Sequence, residues 1–292
     1  MTEAAFIAVD WGTTNRRAYM MSGEGTVLKT ERDDRGLTAV EPGRFGEEAA
    51  AIRQRFGDLP ILCAGMVGSV RGWADAGYRP CPVTIDDLAR QLCWVEPGRT
   101  AIVSGASHVD GQRGDVMRGE EVQLLGAVAA GLAPADSLLC QPGTHCKWAY
   151  MAGGRLERFR TTVTGELFAL LRRHSLLADY LGGDVRPGAA FDAGLAAADE
   201  GALLGNLFGE RASALLDLRD KADIAAHASG LLIGTDVREQ RLTPGQNVQV
   251  LADPGLGDLY CAAIRYFGAN AERIDSHAAF AAGIARIWSL AR

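Results

Sequence analysis

The apolar and polar positions of the chain fall into blocks that read strand, strand, strand, helix, and then restart. FIAV (6–9) is a short apolar run that ends at Asp10 and Gly12. RRAYMM (16–21) and TVLKTER (26–32) follow, separated by SGEG, and the three runs predict consecutive antiparallel strands. Residues 44–57 carry an apolar stripe at helical spacing and close on Gly57, which predicts a helix. PILCAGMVGS (60–69) predicts a buried strand entering a glycine-bearing loop, and TAIVSGA (100–106) another buried strand. RGEEVQLLGAVAAGL (118–132) predicts a helix whose opening acids suit the positive end of the helix dipole.

The pattern then begins again. SLLCQ (137–141), KWAYMAG (147–153) and RLERFRTTV (155–163) repeat the three-strand plan. A mostly helical stretch runs from 165–177 through 222–240. A strand (248–252), a helix (256–268), a short strand (271–275) and a final helix (277–292) complete the chain. One internal echo lies at an offset of 131, where Gly12, Thr13, Ala18, Tyr19, Met20 and Gly23 match Gly143, Thr144, Ala149, Tyr150, Met151 and Gly154. Both copies sit between the first and second strands of a three-strand run. That context predicts two similarly built α/β domains facing each other, each offering a Gly-Thr turn.

Composition narrows the function. The chain has 292 residues, 23% of them charged, and a formal net charge of −6, which argues against a nucleic-acid surface. Six cysteines form no CxxC pair and the five histidines do not cluster with them, so metal-site spacing is absent. The longest apolar stretches, such as 124–133, fall short of a membrane span, and the N-terminus has no cleavage pattern. The expectation is a cytoplasmic protein with reduced cysteines and no membrane partner. Oligomeric state stays open, with a homodimer as one option.

A glycine-bearing hairpin exposes backbone N–H groups, and threonine hydroxyls add donors. Such a nest binds anions, phosphate above all. Two nests from two domains could clamp a polyphosphate. Asp10, at the end of the first strand, would stand close to a phosphate-bound Mg²⁺, often through water. The alternative for Asp10 is a strand-end carboxylate that caps the following turn. No Walker loop occurs.

IAVDWGTTNRRAY resembles the first phosphate motif of the sugar-kinase, heat-shock-protein and actin superfamily, and QPGTHCKWAY its second. AVDWGTTNRRAY, CAGMVGSVRGW, DVMRGEEVQLLGA, PGTHCKW and TTVTGELFALLRRHSLL together resemble the 2-dehydro-3-deoxygalactonokinase family, in order and over nearly the whole chain. The resemblance implies two actin-like ATPase (ribonuclease H-like) domains around a cleft. Residues 1–115 would form the substrate side, with 277–292 packing back on it, and 116–276 the nucleotide side. It also implies ATP-dependent phosphorylation of 2-dehydro-3-deoxy-D-galactonate at its 6-hydroxyl, in galactonate catabolism. An ATPase or exopolyphosphatase on the same fold is the alternative, and a non-catalytic sugar sensor a third reading.

Roles follow residue by residue. The resemblance gives Asp10 the magnesium and the transferring phosphate, and the matching Gln141 is neutral where most of the superfamily carries an aspartate. Gly12, Thr13, Thr14, Gly143, Thr144 and His145 are the expected phosphate contacts, with Lys147 adding charge if strand alternation turns it that way. Asn15, Arg16 and Arg17 follow the first turn. A sugar acid needs a cation for its carboxylate, and alternation sends only one of the two arginines toward it. The other would make a surface salt bridge. Gly65, Met66, Ser69, Arg71 and Trp73 lie in the loop after a buried strand, where α/β sheets bind ligands. The general base lies among Asp115, Glu120 and Glu121, which the residues do not separate. Gly255 and Gly257 are the expected close-approach positions for the nucleoside, with the helix 229–238 as the other wall. The epimer of the sugar acid is not readable.

Overall fold

The computed structural model describes residues 3–292. They divide into two compact units, one comprising residues up to 136 with 149–160 and 276–292, the other 137–148 with 161–275. In chain order the elements are β1 (Ala4–Trp11), β2 (Arg16–Ser22), β3 (Val27–Asp33), α1 (Phe45–Phe56), β4 (Ile61–Gly65), β5 (Tyr78–Pro80), α2 (Ile85–Arg90) and β6 (Cys93–Glu96). They continue with β7 (Thr100–Ile102), β8 (Gly105–Asp110), β9 (Arg113–Met117), α3 (Glu120–Ala129), β10 (Ser137–Gln141), β11 (Cys146–Ala152), β12 (Arg155–Thr162) and α4 (Thr164–His174). The last are α5 (Ala189–Glu200), α6 (Leu203–Leu215), α7 (Ile224–Glu239), β13 (Asn247–Leu251), α8 (Leu256–Tyr266), β14 (Asn270–Ile274) and α9 (Ser276–Leu290).

The first unit is built on a six-stranded sheet in the order β3-β2-β1-β4-β7-β6. β1 runs antiparallel to β2 and parallel to β4. Its Phe6–Val9 run is buried throughout, as a central strand covered on both faces requires. Helix α1 lays Phe45, Ala49, Ile52 and Phe56 on the same core as Ile7, Val9 and Trp11, which is the stripe its sequence predicts. The second sheet has the order β12-β11-β10-β13-β14, and β10, β13 and β14 are parallel. The two orders share one plan. Three sequential strands run from the edge inward, and the innermost then takes a parallel neighbour. The internal echo is therefore present in the topology.

The structure departs from the sequence reading in three places. The strand expected over 100–106 splits into β7, which joins the main sheet, and β8, which joins a separate sheet β5-β8-β9. Apolar continuity hid the break, because Ala101 to Val103 and Ala106 are all buried. β5, β6, β9 and α2 were not predicted, since three, four, five and six residues are too short to display a period. Helix α3 starts at Glu120 rather than 118, because Gly119 has φ +103° and cannot be helical.

Helices α3 and α9 cross backbone to backbone in the first unit. A Cβ on Gly283 would lie 2.1 Å from the Val122 carbonyl oxygen. Gly283→Ala is therefore expected to destabilise the protein by about 2–3 kcal/mol, overpacking outweighing the gain in helix propensity. A denaturant midpoint equal to or above wild type would show that the helices separate without cost. Among the described residues no helix is long and apolar enough to cross a membrane.

Candidate active site

In the first unit, residues 12–15 join β1 to β2. The turn closes with Gly12 N–H donating to the Asn15 carbonyl at 3.0 Å. Its carbonyls are then taken up by the segment that follows β3. Leu37, Thr38 and Gly36 N–H donate to the oxygens of Gly12, Thr13 and Thr14 at 2.9, 3.0 and 3.2 Å. Only glycine fits at 36, where a Cβ would stand 2.4–2.6 Å from the Thr13 and Thr14 backbone. With its carbonyls tied down, the turn leaves the Thr13 and Thr14 N–H groups without a protein partner among the described residues, and both residues are exposed. This is the donor arrangement of an anion nest.

Asp10 is half-buried at the end of β1, opposite Arg17 on β2 and Ala64 on β4. Burial pushes its carboxyl up to about 6, against the pull of the Arg17 guanidinium and with a further push from Glu120. Glu120 comes near because three chain segments stack without side chains between them. A Cβ on Gly65 would lie 2.7 Å from the Trp11 oxygen, and one on Gly119 would lie 3.0 Å from Gly65 Cα. Both glycines have positive φ, +97° and +103°. The ends of β1 and β4 and the start of α3 are thereby pressed together, and Asp10, Met66 and Glu120 belong to one corner.

The three candidate bases occupy different surroundings. Glu120 is half-buried and its Oε2 accepts from Arg118 N–H at 3.1 Å. Glu121 is fully buried, caps Gly119 N–H at 2.7 and 2.9 Å, and burial raises its carboxyl to about 8. Asp115 lies on β9 opposite His108, 3.9 Å from Arg113. The charges acting on Asp10 are Arg17 and Glu120.

The two arginines after the turn separate as alternation predicts. Arg17 is half-buried on the Asp10 side, and its guanidinium touches the His277 ring at the start of α9. Arg16 makes ion pairs with Asp33 and Glu48 at 2.7 and 2.9 Å, and covers the Trp11 ring at 4.8 Å. These pairs are buried rather than superficial, because α1 carries Glu48 over that face. Asn15 is exposed and donates to Thr14 Oγ1 at 3.0 Å. In the loop after β4, Met66 opens a single helical turn, Ser69 Oγ is buried, Arg71 is exposed, and Trp73 packs on the core beside α1.

The second unit repeats the device. Residues 142–145 join β10 to β11, and Glu166 N–H donates to the Thr144 oxygen at 2.8 Å. Gly165 does what Gly36 does, since a Cβ there would meet the Gly143 oxygen at 2.1 Å. His145 is exposed, its Nε2 2.9 Å from Glu166 Oε2. Lys147 is buried and donates to Thr161 Oγ1 at 3.1 Å, and Gln141 is buried at the end of β10. A mostly apolar pocket opens beside the turn. Gly143, Thr164, Gly165 and Phe168 line one side, Ser229, Leu232 and Ile233 of α7 another, and Leu256 and Tyr260 of α8 the third. Gly255 and Gly257 flank Leu256.

One residue that sequence reasoning missed organises this pocket. Asp236 is buried and accepts from Trp148 Nε1 (2.9 Å), Thr162 Oγ1 (3.0 Å), Thr164 Oγ1 (2.9 Å) and Tyr260 OH (2.7 Å). It ties β11, β12, α4 and α8 to α7, and two of its donors are pocket walls. Its only signal was an acid shortly after the apolar run Leu231–Ile233 of α7.

The chain as a whole is similar to known proteins. The profile of the 2-keto-3-deoxy-galactonokinase family matches residues 10–287. The 2-dehydro-3-deoxygalactonokinase of Escherichia coli (strain K12) is 36% identical over 299 residues, 97% of each chain. A crystal structure from Sinorhizobium meliloti, provisionally given the same enzyme name, superposes with a TM-score of 0.86 at 35% identity over 97% of both chains. The activator of 2-hydroxyisocaproyl-CoA dehydratase from Clostridium difficile, solved with bound ADPNP, shares the actin-like fold at TM-score 0.54 and 11% identity. A match in order from Asp10 to the last helix, at that identity and over that length, means that the chain belongs to the 2-keto-3-deoxy-galactonokinase family of sugar-acid kinases.

Proposed function

We propose that the protein transfers the γ-phosphoryl group of ATP to the 6-hydroxyl of 2-dehydro-3-deoxy-D-galactonate, in the cytoplasm, as a step of galactonate catabolism. The observation that carries this reading is the corner formed by Asp10, Arg17 and Glu120 beside the Gly12–Thr14 nest. Phosphoryl transfer through a loose transition state needs positioned donors and charge more than covalent chemistry. The nest supplies donors, and Asp10 supplies charge.

The first unit takes the sugar acid and the second the nucleotide. Glu120 accepts the proton of the 6-hydroxyl, because it is the candidate carboxylate that acts on Asp10 and is not sealed in the interior. In the second unit the adenosine lies against Phe168, Leu232, Ile233 and Leu256, with the hydroxyl of Ser229 as a polar contact. Asp236 keeps Thr164 and Tyr260 in place. Asp10 also fits a magnesium ion. It is a half-buried carboxylate whose ionised form is disfavoured by burial, and magnesium takes one or two carboxylates together with phosphates and waters. Bound there, the ion would neutralise phosphate charge.

A coupled ADP-release assay across 2-keto-3-deoxy sugar acids tests the reading. Turnover should depend on the acid, and Glu120→Gln should lower kcat by ~10²–10⁴-fold while Asp115→Asn stays within about threefold of wild type. ADP release that is unchanged when the acid is omitted would identify a hydrolase instead. The reverse order of the two variants would move the base to Asp115.

A further inference from the structure

A sugar acid must be met by a cation, and two of the guanidiniums beside this corner are committed. Arg16 is held by Asp33 and Glu48, and Arg17 by its place between Asp10 and His277. A third guanidinium in the same unit is not. Arg118 precedes Gly119 and Glu120, is 8% exposed, and covers the Tyr78 ring with its Cζ 4.3 Å from the centroid. Its Nε and Nη1 are buried with no hydrogen-bond partner among the described residues. Its Nη2 stands 3.6 Å from Asp75 Oδ1, too far for a hydrogen bond, and the Asp75 side chain is 52% exposed.

An arginine cannot shed its proton, so a buried guanidinium without hydrogen bonds carries a desolvation cost that a bound anion would relieve. Two further buried hydroxyls of this unit, Ser69 Oγ and Ser104 Oγ, have no hydrogen-bond partner among the described residues. The glycines next to them in sequence, Gly68 and Gly105, lie against Arg118 and against Tyr78 respectively. Arg118 Nη1 lies 3.0 Å from where a Cβ of Gly68 would be, and a Cβ of Gly105 would lie 2.7 Å from the Tyr78 ring that Arg118 covers.

We propose that Arg118, aided by the Ser69 hydroxyl, is the group that binds the carboxylate of the sugar acid. The inference rests on the sugar-acid reading given above. The Nε–Nη2 edge of a guanidinium takes a carboxylate side-on through two parallel hydrogen bonds. Asp75 touches that edge at Nη2 alone, and from a half-exposed position, so the substrate displaces it. Arg118 and Glu120 are two residues apart. The group that reads the acid and the group that takes the hydroxyl proton therefore share one rigid segment, braced by Gly119 against Gly65.

The test compares the acid with its methyl ester, which keeps the carbonyl, adds one methyl and lacks the charge. In Arg118→Met, kcat/KM for the acid should fall about 100-fold, mainly through KM, as loss of charge-assisted hydrogen bonds implies. The ester should be little affected, so that the preference for acid over ester collapses, and KM for ATP should stay within about twofold. Arg118→Lys should recover part of the loss, and Ser69→Ala should raise KM for the acid several-fold with an unchanged melting temperature. These two variants carry the test if Arg118→Met does not fold. Equal losses for acid and ester, or an unchanged KM for the acid, would overturn the proposal and leave the kinase reading intact. A wild-type protein that neither binds nor phosphorylates any 2-keto-3-deoxy acid would overturn both.

Discussion

Asp10→Asn is expected to leave a well-folded protein with less than about a thousandth of wild-type turnover. The substitution keeps the shape of the side chain and removes the negative charge at the end of β1. Where catalysis is mostly fixed charge and positioning, removing such a charge costs several kcal/mol in the transition state. The same residue sets a pH dependence. Its carboxyl is raised to about 6, chiefly by burial, so activity should climb as pH passes from 5 to 7 with a midpoint near 6. Stability runs the opposite way. Between the ordinary value of 3.8 and about 6 the folded state keeps a proton that the unfolded state has lost. The contribution of Asp10 to stability is thus full below pH 4 and lost as pH rises through 6. The full shift would correspond to ~3 kcal/mol, which partial contact with solvent reduces to about 1–2 kcal/mol. Asp10→Asn should therefore be more stable than wild type at pH 7.5 and equal to it at pH 4, by denaturant unfolding at each pH. A variant that turns over normally would remove Asp10 from the mechanism.

Gly165→Ala is expected to damage nucleotide binding while sparing the sugar acid. The added carbon would lie 2.1 Å from the Gly143 oxygen and 3.1 Å from the Thr144 oxygen. Those atoms are backbone and cannot swing aside, so either the turn or the first turn of α4 must move. The Glu166–Thr144 hydrogen bond of 2.8 Å is lost or stretched in either case. Gly143 and Gly165 both border the apolar pocket, so the displacement reaches it directly. KM for ATP should rise by one to two orders of magnitude and KM for the acid by less than about threefold, with ~2–4 kcal/mol lost in stability. Steady-state kinetics with each substrate varied in turn, together with nucleotide titration, would measure both. An unchanged KM for ATP would mean that the second turn does not hold the nucleotide.

The strands and helices that carry the fold could be read from local patterns, a short continuous apolar run for a covered strand and an apolar stripe for a helix. RRAYMM and TVLKTER read as strands beside the apolar run FIAV, and Phe45, Ala49, Ile52 and Phe56 as one face of a helix. The Gly-Thr turn and its echo were legible for a local reason, since glycine between two strands marks a bend wherever it occurs. The sequence by itself therefore determined the two three-strand runs, the turn inside each, and the acid that precedes only the first.

Everything that depends on what lies opposite was decided by the tertiary structure. Gly36 and Gly165 give no sign in the chain that they brace the two turns, because their partners are carbonyls 20 or more residues away. Arg16 and Arg17 are adjacent and chemically identical, yet Glu48 on α1 claims one and Asp10 draws on the other. Glu120 and Glu121 are adjacent too, and the helix surface turns one toward Asp10 and seals the other inside. Arg118 read only as the first residue of a helix over 118–132, and it is the surrounding packing that leaves two of its nitrogens buried without a partner among the described residues. Period is a property of the chain, whereas the environment of a charge is set by the segments that fold over it.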